Sequence, residues 1–202
     1  MGQRIAPRDA GMNRVWRYVL AVDGGMAPCI QDSTLTLTCC KPFIRKHAKV
    51  GDWVIGFVPK GLKRGHITWV GKIAESIPLA EYELRFRGRK DALYRLRKGE
   101  LVPLRNDYHA NPRDRGRDLG GKNGLIFRPY WYWGGLGISA PPDIAELAHY
   151  YVGQSAKNSS PEKTARLERW ARSVARPGIH GSPRDASRDT NTVARVSQSK
   201  MC

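Results

Sequence analysis

Along the first third of the chain the apolar residues fall in short runs with period-two spacing, the mark of strands. WRYVLAV, from Trp16 to Val22, predicts a strand that stops at the turn signal Asp23-Gly24-Gly25. TLTLTCC, from Thr34 to Cys40, alternates Thr with Leu and predicts a strand with one buried face. Pro42 suits a first helical position, and FIRKHA adds a helical turn or two before Val50. Gly51-Asp52 then turns the chain into the strand WVIGFV, and PKGLKRG returns it as HITWVGKIAES, an antiparallel partner.

Beyond Ile77 the pattern changes. Pro78 opens a helix through LAEYELRF that Gly88 interrupts. Arg85–Arg117 holds eleven Lys or Arg against four Asp or Glu and reads as an exposed basic insertion, either solvated or in contact with nucleic acid. After Gly120-Gly121 come a short strand, LIF, and the aromatic run Tyr130-Trp131-Tyr132-Trp133. Strand alternation sends Trp131 and Trp133 to one face and Tyr130 and Tyr132 to the other. One pair then serves the core, and the other is left part-exposed as a platform on which a base can stack. Pro141-Pro142 precede a helix over 143–152, and Ser160 caps a second one, with Pro161 at its first position. Leu167, Trp170 and Val174 form its packing stripe. Strands first and helices last predict an α+β domain: a small, mostly antiparallel, partly closed β-barrel with flanking helices. It spans 16–185, between a flexible arm at 1–15 and a disordered tail at 186–202.

Composition narrows the class of partner. The 202 residues, 41% hydrophobic, suit one globular domain. Thirty-five Lys and Arg against eighteen Asp and Glu give a formal charge of +17, and the sequence pI is about 10.2. Such a field gathers polyanions, which points to a nucleic acid or nucleotide partner. No apolar run approaches the roughly 20 residues that span a bilayer, and no signal segment opens the chain. We therefore expect a cytoplasmic protein without a membrane partner. The cysteines are Cys29, Cys39, Cys40 and Cys202; no CxxC pair is present, so the expectation is inert thiols, no metal and no cofactor.

Candidate chemistry is sparse. There is no P-loop, GxGxxG after a strand, GxSxG or HExxH. The glycines after Asp23 allow either a close backbone approach to a ligand or a plain turn. Lys41 and Arg45 are four apart, so on a helix they share a face, suited to phosphate or to solvent. His109 near Asp107, and Cys39 near Lys41, allow acid–base or nucleophilic arrangements that their spacing does not select.

The run YVLAVDGGMAPCIQDSTLTLTCCKPFIRKHAKVGDWVIGF resembles the start of the nucleotide modification associated domain 2 family. The matching positions are Asp23, Gly25, Ala27 and Pro28; Thr36, Leu37, Cys40, Lys41, Pro42, Ile44 and Arg45; and Val50 to Trp53. Tyr108-His109, LIF, Tyr132–Gly135 and the terminal helix with Trp170 and Gly178–Pro183 are also similar. One departure stands out: Phe127-Arg128-Pro129 follows Leu-Ile where the family typically has Ser. The Gly-Asp-Trp turn is also similar to that of PUA-like barrels, including EVE and ASCH domains. The resemblance implies a domain that binds a nucleotide or unusual base in a cleft lined by aromatics. Asp23 and Gly25 would shape that cleft, Lys41 and Arg45 would meet phosphate, and Trp53, Trp131, Tyr132 and Trp133 would meet the base. Two alternatives remain: a base-modifying enzyme, for which Asp23, Cys40, Lys41 and His109 are the residues to test, or a non-catalytic partner of a modification enzyme that uses its aromatic patch as a protein interface.

Overall fold

The period-two runs do become strands, and they join into one sheet. In the computed structural model the described residues are 12–21, 23–58, 65–105, 108–109, 111–148, 153–156 and 159–183. Most of the expected N-terminal arm, Asp107, residues 149–152 of an expected helix and the expected tail lie outside them.

The strands are β1 (Val15–Val19), β2 (Cys29–Gln31), β3 (Thr34–Leu37), β4 (Trp53–Phe57), β5 (Ile67–Pro78), β6 (Tyr94–Arg97), β7 (Glu100–Pro103), β8 (Asn123–Tyr132) and β9 (Gly178–Ile179). The helices are α1 (Pro42–His47), α2 (Leu79–Arg85), α3 (Pro112–Gly120), α4 (Pro142–Ala145) and α5 (Pro161–Val174). The main sheet runs β1-β4-β5-β8-β3-β2, with β9 beside the end of β8. Pairing is antiparallel except for β1 with β4 and β8 with β9. The sheet does not close into the expected barrel, because closure needs a continuous hydrogen-bonded ladder and none joins β2 to β1.

Strands β1, β4, β5 and β8 each feed two cores, because successive side chains point to opposite faces. Trp16, Tyr18, Val54, Trp69, Phe127, Tyr130 and Tyr132 pack on one face, under Ile44 of α1. Val15, Trp53, Ile55, Val70 and Trp131 pack on the other, under α4 and α5. With both faces covered, a strand reads as unbroken hydrophobics, which is why all five residues of β4 are buried. Leu167 and Ala171 carry the packing of α5; Trp170 is only partly buried and Val174 is exposed.

The structure differs from the sequence expectation in three further places. β1 stops at Val19, and a short strand, β2, follows the Asp23 turn and pairs with β3. LIF is the middle of the ten-residue β8, which continues into the aromatic run. The segment 85–117 is no open loop: it holds the β6–β7 hairpin and most of α3. Its Arg89 is buried against Asp91, which also accepts from Thr36 and Tyr82, so the segment is clamped to the sheet. Charge density hid these partners. No described helix is long and apolar enough to cross a membrane.

Candidate functional site

Four motifs distant in sequence meet at the face of the sheet that α1 covers. Tyr132, at the end of β8, donates its hydroxyl to Asp23 Oδ2 at 2.6 Å. Asp23 is only 3% exposed, and its other oxygen, Oδ1, is buried without a hydrogen-bond partner. Burial pushes the carboxyl up to about 6, against the opposing pull of the Tyr132 hydroxyl, the Gly25 amide and Lys90.

Gly25 makes this turn possible. Its φ is +71°, and a Cβ there would lie 2.9 Å from Pro183 Cγ and 3.1 Å from Lys90 Nζ. Pro183 reaches the turn because the chain through and after β9 runs parallel beside the end of β8. His180 N donates to Tyr132 O at 2.8 Å, and Gly135 N donates to Ser182 O at 3.2 Å. The Tyr132–Gly135 and Gly178–Pro183 segments are thus neighbours of the Asp23 turn.

Lys41 stands at the N-cap of α1, with φ +40°. Its ammonium lies 4.8 Å from the centroid of the Tyr18 ring, a cation–π contact. The residue is 9% exposed, and burial lowers its pKa to about 8, helped by Arg117 and opposed by Cys39. Among the described residues no hydrogen bond or ion pair reaches the ammonium. Tyr18 joins the two halves of the site: Lys41 sits over its ring, its hydroxyl donates to Ala27 O at 3.2 Å and accepts from Trp69 Nε1 at 3.1 Å, and Asp23 acts on it electrostatically. The whole group combines a buried acid lacking one partner, a buried cation lacking an anion, and two tyrosines.

Other expected site residues lie elsewhere. Arg45 is fully buried; its Nε donates to Asn123 O and its Nη1 to Cys40 O, while Nη2 has no partner. Its side chain runs toward β8 and Gly121 and reaches no surface. Trp53 and Trp131 stack on each other at 6.3 Å on the opposite face of the sheet, and Trp131 Nε1 donates to Ala175 O. Both indoles are closed off from solvent, on the face of the sheet away from Tyr132 and Asp23. Trp133, half-buried, packs against Trp170 and His180 on that same side. The Val50–Trp53 motif works as a pin, with Asp52 accepting from Arg14 N, Trp16 Nε1 and Lys49 N, each at 2.9 Å.

Beside the site lies a second polar cluster. His109 Nδ1 is 2.6 Å from Asp118 Oδ2, and His109 Nε2 is 3.8 Å from Cys40 Sγ. Tyr94 donates to the same Asp118 oxygen, and Cys40 N donates to the other one. The three side chains could in principle hold a metal ion. Cys40, however, is disulfide-bonded, so its sulfur is neither a thiolate ligand nor a nucleophile here. That departs from the expectation of inert thiols, which Cys29 and Cys39, buried and free, do meet.

Sequence reasoning missed Tyr18, Lys90 and Asp118. Tyr18 sits inside a strand pattern where any aromatic reads as core, and Lys90 is one cation among eleven in its segment. No curated protein and no solved structure matches the chain. Residues 12–101 match the family model of nucleotide modification associated domain 2, the family that the chain's motifs resemble.

Proposed function

We propose that the chain binds a nucleotide or modified base and serves in the modification of bases in nucleic acid. One observation carries the reading: a buried ammonium without an anion, Lys41, lies over the ring of Tyr18, on which the half-satisfied carboxyl of Asp23 also acts. Burying a charge with no counter-ion is costly, and a ligand phosphate would offset that cost. Asp23, Gly25, Lys41, Tyr18 and Tyr132 form the binding group, and the +17 field gathers the polyanion. A base held this way comes from a free nucleotide, a single strand or an extruded position. The family's name supports the link to modification, and a PUA-like relationship fits a small sheet with aromatic faces. The test is titration with nucleoside monophosphates and with oligonucleotides carrying plain or modified bases. Binding that weakens with salt and is lost in Lys41→Ala supports the reading; no binding to any of them overturns it.

A second reading has its own observation. Asp23 at about 6 and Lys41 at about 8 are both drawn toward neutral pH, where acid–base catalysts work best. As an enzyme, the protein would change the mass of a bound nucleotide, and Asp23→Asn would abolish that change.

A further inference from the structure

We propose that this site selects a nucleobase bearing an exocyclic amino group, with Asp23 Oδ1 accepting from that amine. The inference rests on the binding reading above and adds which bases the site takes. Tyr132 occupies Oδ2 and aims a donor at it, so the carboxylate is fixed in orientation with one oxygen left over. A buried acceptor without a donor costs about 1–3 kcal/mol, and a ligand N–H removes that cost. No described side chain near Asp23 takes this place. The Tyr18 hydroxyl donates to Ala27 O, and Lys90 Nζ lies over Gly25 without an ion pair to Asp23.

The chemistry discriminates between edges. An exocyclic amine projects from the base and meets one carboxylate oxygen head-on, as when Asp or Glu reads cytosine N4. A carbonyl at the same ring position would face Oδ1 with its lone pairs and leave both oxygens unsatisfied. An imide N–H lies recessed between two carbonyls, which repel the carboxylate. A site built to bond a donor rejects the analogue lacking it more strongly than a hydrophobic pocket rejects a size change. Because Asp23 and Gly25 are under cover, a ligand has to displace what lies over them, the Lys90 side chain and Pro183.

The experiment compares cytidine with uridine monophosphate and adenosine with inosine monophosphate, pairs that exchange an amine for a carbonyl at one position. The full chain is titrated with each by calorimetry, alongside Asp23→Asn, whose Nδ2 replaces the free acceptor with a donor. The expected result is a preference of about tenfold or more for the amine member of at least one pair, lost or reversed in Asp23→Asn. The preference in the native chain also falls as pH drops through about 6, where Asp23, flanked by Tyr132, Tyr18, the Gly25 amide and Lys90, takes up its proton. This second readout stands even where the variant is unusable. Equal affinity within both pairs, or a preference that survives in Asp23→Asn, overturns the inference and leaves the binding reading intact. Absence of binding to all four nucleotides and to the oligonucleotides overturns the binding reading itself.

Discussion

The hydroxyl of Tyr132 donates to a buried oxygen of Asp23 across 2.6 Å, although the two are 109 residues apart in the chain. The bond ties the end of a central strand to a glycine turn, and it is the only hydrogen bond between side chains that holds this carboxyl among the described residues. Removing it in Tyr132→Phe leaves Asp23 without its side-chain donor. We expect a loss of about 1–3 kcal/mol in urea unfolding and a further rise of the Asp23 carboxyl, read by NMR titration.

Asp23 makes the stability of the protein depend on pH in an unusual direction. Its folded pKa, about 6, lies above its ordinary value of 3.8. The group therefore favours the folded state below pH 3.8, and that advantage is lost as pH rises through 6. Asp23→Asn does not titrate, so its stability relative to the native protein should improve by up to about 3 kcal/mol between pH 4 and 7. Unfolding of both proteins across that window checks the sign.

For Lys41 the sign is reversed in pH. Its folded pKa of about 8 lies below the ordinary 10.5, so the unfolded chain binds the extra proton between those values and stability rises with pH. Lys41→Met removes the buried charge at similar length. It should be more stable than the native chain at pH 7 by up to about 3 kcal/mol, with the gap closing toward pH 10.5, and it should lose nucleotide affinity. A variant that gains stability while losing binding marks a group kept for its ligand.

Asp52 and Asp91 are expected to behave as structural acids. Asp52→Ala strands the Trp16 indole and two backbone amides, and Asp91→Ala leaves Arg89 buried without its carboxylate. Each should cost about 3–5 kcal/mol by denaturant unfolding. Arg97→Ala and Lys98→Ala, on the exposed tip of the β6–β7 hairpin, should stay within about 0.5 kcal/mol.

Much of this was legible in the residues. Alternation placed Trp131 and Tyr132 on opposite faces, and the structure puts one with α5 and the other with Asp23. Turn chemistry at Asp23 and the Ser160 cap, which accepts from Lys163 N, were equally readable because they are local. The convergence of Tyr132, Pro183 and Lys90 on one turn was not legible, since pairing across more than a hundred residues leaves no local signature. The burial of Arg45 and Arg89 was hidden for a different reason. Arginine reads as surface unless its acceptors are known, and here they are backbone carbonyls, a threonine and an aspartate brought in by the sheet.

The place of β8 has one more consequence. The family match ends at residue 101, yet β8 lies between β5 and β3 and supplies the hydroxyl that meets Asp23. A cut at the boundary of the match would remove the strand that joins the two halves of the sheet, exposing β3 and β5 along their inner edges. The recognisable stretch is therefore not a transplantable cassette. Grafts, fusions and minimal expression pieces need the chain through Pro183 if they are to carry an intact site.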